Sequence, residues 1–74
     1  MQHSDRETII DTIVLSIRRD LTSTTKDKIL KNPYIPYNED VIFDLMGKFA
    51  VQRRTAKEWL VCAQIRFAEQ INKP

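Results

Sequence analysis

The residues that staple small proteins together are nearly missing from this chain. Among 74 residues, cysteine occurs once (Cys62) and histidine once (His3). A lone cysteine excludes an internal disulfide, and one cysteine with one histidine cannot complete a tetrahedral zinc site. Glycine also occurs once and proline three times, too few for a β-rich chain dense in turns. No apolar run approaches the roughly 18 to 20 residues of a membrane span. The opening MQHSDRETIID is polar and unlike a secretion signal, so a cytoplasmic location is expected. A net charge of +2 is too small to indicate nucleic acid by its sum, so the placement of the charge has to carry that argument. No nucleophile–base pair, glycine-rich phosphate loop or metal-ligand cluster is visible, so neither an enzyme nor a cofactor is expected. His3 reads as a tail residue without a role.

What is present is helical periodicity. The length suits one domain spanning residues 1–74. A domain of this size buries only about 60% of its unfolded surface. Without staples, it depends on close helix packing or on self-association. Residues 5–21 carry Ile9, Ile10, Ile13, Val14, Ile17 and Leu21 at helical spacing. Ser4 with Glu7 has the arrangement of a capping box. Acids early and Arg18 and Arg19 late suit the helix dipole. A polar break at Thr22–Thr25 precedes a short helix expected over 25–31, capped by Thr24 or Thr25 and ended by Asn32-Pro33. NPYIPYN then reads as an extended loop. Asn38 is a good N-cap for a helix over 39–49, whose apolar face is Val41, Ile42, Leu45 and Phe49. A last helix spans 53–71, and the whole is expected to be all-α, with three to four helices.

Between Lys48 and Lys57 the chain carries four positive charges and no acid. The surrounding segment DLMGKFAVQRRTAKEWL, with its flanks from about residue 39 to 62, resembles the helix-turn-helix of bacterial and archaeal transcription regulators. In that resemblance Phe49 closes the first helix, Ala50, Val51 and Gln52 make the turn, and Arg53 opens the recognition helix. Ile42, Leu45, Phe49, Val51, Ala56 and Trp59 fill the helix crossing. Three positions depart from the pattern. Gln52 stands where Ser or Thr often caps, Ala50 where Gly often sits, and Met46 where a small residue is common. If position 50 is left-handed, alanine there costs about 1 kcal/mol.

The resemblance implies sequence-specific binding of double-stranded DNA, with Gln52, Arg53, Arg54, Thr55, Lys57 and Lys48 at the interface. Arginine suits bidentate contact to guanine and glutamine suits adenine. The sequence after Trp59 has no turn signal, so no β wing is expected. Lys26, Lys28 and Lys31 either hold phosphate or serve solubility. Tyr34 and Tyr37 are expected to cover the core, Trp59 to lie in it, and Cys62 to be a small buried hydrophobe.

The last helix is apolar on more than one side. Ala56, Leu60, Ala63, Phe67 and Gln70 or Ile71 follow a heptad-like seam, while Val61, Cys62, Ile65 and Ala68 lie off it. A homodimer through Leu60, Val61, Ile65, Phe67 and Ala68 is therefore expected, with two recognition helices about 34 Å apart. The competing expectation is a helical protein-interaction module, or an adaptor within a DNA-associated complex.

Overall fold

The computed structural model describes residues 5–72. It contains four helices: α1 (Arg6–Arg19), α2 (Ser23–Lys31), α3 (Glu39–Phe49) and α4 (Arg53–Asn72). Among the described residues there is no β-strand, and no helix is long and apolar enough to cross a membrane. The expected all-α class stands.

Local chemistry sets the helix starts. Asp5 caps α1, its Oδ1 accepting from the Thr8 N–H at 2.8 Å. Ser4, expected to play that part, lies outside the described residues, as does His3. The N-cap of α2 is Thr22, whose Oγ1 accepts from the Thr25 N–H at 3.1 Å. The short helix thus starts ahead of the expected Thr24 or Thr25, because the first threonine already satisfies an orphan donor of the opening turn. Asn38 caps α3 as expected, through the Asp40 N–H at 2.9 Å.

The core is drawn from every helix. Ile9, Ile10, Ile13, Val14 and Ile17 of α1 are buried with Ile29 of α2, Ile42 and Leu45 of α3, and Ala56, Leu60, Ala63, Phe67 and Ala68 of α4. Each large side chain taken fully from water contributes about 1.5 to 3 kcal/mol. The last helix packs against each of the other three. Its 20 residues make it about 30 Å long, which gives the molecule its elongated 39 × 24 × 19 Å shape.

Polar contacts show how α1 lies on α4. Arg6 reaches Glu58 and Cys62, Arg66 reaches Glu7 and Asp11, and Arg18 reaches Gln70. Positions advance together along both helices, so the two run parallel. The connection back is made by α2 and α3, and by the loop between them. Arg18 also lays its guanidinium over the Phe67 ring, 5.6 Å from the centroid.

Three expectations about single residues need correction. Cys62 is only half-buried and faces the α1 edge, where its Sγ accepts from Arg6 Nη2 at 3.1 Å. Tyr34 is 67% exposed and does not cover the core: it stands in the turn after α2, where the backbone of its neighbours, and not its own ring, is held against α4. Leu60, Phe67 and Ala68 are buried by this chain's own helices. Leu60 and Phe67, at 0% exposure, are therefore not at a surface a second subunit can touch; Ala68 keeps only an edge on a surface hollow, and Val61 and Ile65 remain partly exposed.

Candidate nucleic-acid interface

The unit around the basic cluster is built by one turn. Ala50 follows α3 with φ 54° and ψ 47°, the left-handed conformation. It is the one non-glycine residue with positive φ among those described. The Val51 N–H then donates back to the Met46 carbonyl at 3.3 Å, the six-to-one closure of a Schellman motif. Met46 and Val51 both pack against the core beside it. The position that resembles a glycine site thus has a glycine conformation, held by an alanine.

The contacts of α3 fix its lie on α4. In an antiparallel hairpin the start of α3 would meet the far part of α4 and its end the near part. Here Glu39, at the start, meets Arg53, with 2.6 Å between Oε1 and Nη2. Phe49, at the end, meets Trp59 further along, edge to face, with centroids 5.6 Å apart and planes at 90°. α3 therefore crosses α4. Ala56 is fully buried and supplies no bulk beyond its methyl group, which allows a close approach. Trp59 is half-buried in this packing, set against the core and not within it as expected, with part of its ring left at the surface.

The basic residues are exposed, but Lys48 borders the groove between α1 and α3, with Thr12, Ser16 and Asp44, while the others lie on the first turns of α4. Lys48, in the last turn of α3, is exposed, as are Gln52, Arg53, Arg54 and Lys57; Thr55 is half-buried. Lys48, Arg54 and Lys57 make no ion pair among the described residues, while Arg53 is tied to Glu39. The Gln52 carbonyl accepts from the Ala56 N–H at 3.0 Å and so opens α4. Helices α1, α2 and α3 each begin under a side-chain cap. For α4 no side chain hydrogen bonds to the N–H groups of Arg53, Arg54 or Thr55 among the described residues. Those amides project with the positive end of the helix dipole.

Two residues matter here that sequence reading passed over. Glu39 was legible only as an acid in a first turn; its partner lies 14 positions away. Gln64 is fully buried. Its Oε1 accepts from the Tyr37 N–H at 3.0 Å, and its Nε2 donates to the Pro33 and Ile35 carbonyls at 3.1 and 2.8 Å. This side chain pins the Pro33–Tyr37 loop to α4. A signal for it existed: Gln64 is the polar residue one helical turn from both Leu60 and Ala68, inside an apolar stripe.

Compared with known proteins, the chain matches no family model, no curated protein and no solved structure.

Proposed function

We propose that this chain binds double-stranded DNA as a small transcription regulator, with α3 and α4 acting as a helix-turn-helix and the start of α4 entering the major groove. One observation carries the reading. α4 leaves a left-handed turn with Gln52, Arg54 and Lys57 exposed, and its opposite side is buried from Ala56 onward. A helix held from behind, with donors in front, has the form that groove insertion requires. Arg54 and Gln52 carry the base-reading chemistry, two N–H donors for guanine and an amide for adenine. Lys48 and Lys57, with the open amides of the first turn, are suited to phosphate.

Dimerisation is part of this proposal. Val61 and Ile65 lie on α4 beyond the basic cluster, and Ile65 lines a surface hollow with Pro33, Tyr34 and Ala68. A second copy seated there would pair two reading helices.

The test is fluorescence anisotropy of a labelled random-sequence duplex, titrated across a salt series. Binding should weaken with salt at a log–log slope near −0.9 per phosphate neutralised. Once a preferred site is known, Arg54→Ala should lose about 1 to 3 kcal/mol there and relax the preference. Absence of binding at low salt and about 50 µM protein, where even non-specific DNA binding is ordinarily seen, would leave the protein-partner reading. Tyr34 and Ile35, 67% and 60% exposed on a pinned loop, favour that second reading.

A further inference from the structure

We infer that Glu39 is an intramolecular competitor for Arg53 that suppresses sequence-independent contact with the DNA backbone; this rests on the DNA-binding reading above. The Glu39 carboxylate stands 2.6 Å from the Arg53 guanidinium, across the crossing of α3 and α4. Arg53 is the first residue of α4, where a cation faces the positive end of the helix dipole. Glu39 is the first residue of α3, where an anion is favoured. Each helix start thus suits the carboxylate and not the guanidinium, and the pair supplies the partner that Arg53 lacks on its own helix.

The pair is half-exposed, with side-chain exposures of 50% and 55%. An ion pair in that setting is worth only about 0 to 1 kcal/mol, so a phosphate can take the arginine. Doing so leaves the Glu39 carboxylate unpaired beside a polyanion. Backbone contact by Arg53 is therefore opposed twice, by loss of its partner and by repulsion from that partner. Arg54 and Lys57, which make no ion pair among the described residues, bear no such restraint. The consequence is a lower affinity for arbitrary duplex than the charge of the cluster alone would give, and hence a larger margin for a site read through base edges.

The experiment measures binding of Glu39→Gln, Arg53→Gln and the double variant to a random-sequence duplex across a salt series. Glutamine keeps the size of either side chain and removes its charge. Glu39→Gln should bind about fivefold more tightly, the factor matching an exposed ion pair at the upper end of its range. Its salt slope should steepen by about 0.9, one further phosphate. Arg53→Gln alone should leave the slope near wild type, and the double variant should lose the gain. Circular dichroism melts should show all three variants folded. If the wild-type chain binds while Glu39→Gln shows neither tighter binding nor a steeper slope, the competitor is overturned and DNA binding stands. If Arg53→Gln alone flattens the slope by one phosphate, Arg53 already holds the backbone and the competitor is again overturned. If no variant binds at low salt, the DNA reading and this inference fall together.

Discussion

Ala50 is where the backbone and the side chain disagree most. At φ 54° its Cβ crowds the following carbonyl, a strain of about 1 kcal/mol that glycine would not have. Ala50→Gly should raise stability by about 1 kcal/mol and the melting temperature by about 4 to 8 °C. A calorimetric scan that finds no rise would mean that the turn relaxes around alanine. Tyr37 contributes a loss of stability at alkaline pH. Burial first, and the Asp20 carboxylate second, raise its phenol above the ordinary tyrosine value. Below about pH 10 the phenol is neutral in both folded and unfolded chains. Above that, the unfolded chain ionises first, so stability falls as the pH rises through the folded value. Tyr37→Phe should therefore lose less stability between pH 9 and about 11.5 than the native chain, as thermal melts across that window would show. Neither position was fully legible in the sequence. Alanine and tyrosine are ordinary residues, and only the chain around them makes one left-handed and the other half-buried.

At the scale of elements, short-range chemistry was the legible part. The starts of α3 and α4 fall where the N-cap signal and the basic run place them, and the core face of α1 follows its isoleucine spacing. The α2 start and the Ser4 cap were misplaced because several neighbouring hydroxyls and carboxylates can each serve as cap, and local sequence does not rank them. The loop Pro33–Tyr37 shows the other limit. Its prolines announce an extended segment, but its polar attachment to the rest of the fold is a side chain on a distant helix, Gln64, beside the packing of Tyr37 on the core. Gln64→Leu would leave one N–H and two carbonyls without their partner. This should cost about 3 kcal/mol. In urea unfolding the midpoint should fall with little change in slope. A midpoint within error of wild type would show that the loop finds other partners. The Arg66 clamp on Glu7 and Asp11, both at 2.7 Å, joins α1 to α4 in the same long-range way.

At the scale of the whole molecule, α4 serves two purposes along one helix. Its buried stripe forms the floor of the domain, and its outer stripe passes from Arg54 through Val61 to Ile65. The expected dimer surface is thus narrower than the list of apolar residues suggested, since Leu60, Phe67 and Ala68 are used internally. If a second copy docks on the remainder, Val61→Lys with Ile65→Lys should yield a monomer with an unchanged helical spectrum. Sedimentation velocity at about 50 µM should then show the native chain at twice the mass, a concentration at which a dimer with a micromolar dissociation constant is largely formed. A native monomer at that concentration would remove self-association from the proposal. An unpaired α4 would then touch DNA as a single reading helix.

The sequence by itself determined that the chain is all-helical, roughly where each helix begins and ends, and which stripe of each helix is apolar. Those properties are local. Periodicity, caps and prolines act within a turn or two of the backbone, and they need no knowledge of the rest of the fold. It also located the basic run and the turn residue on which the functional proposal stands. Only the tertiary structure decided that α1 runs parallel to α4, that Gln64 is a buried staple, that Tyr34 faces outward, and that Arg53 is held by Glu39 while Arg54 and Lys57 are not. Each depends on residues far apart in sequence, brought together when the apolar stripes bury against one another. Many pairings of the same amphipathic helices satisfy the local rules. The choice among them is made by close packing and by the partners that buried polar groups require.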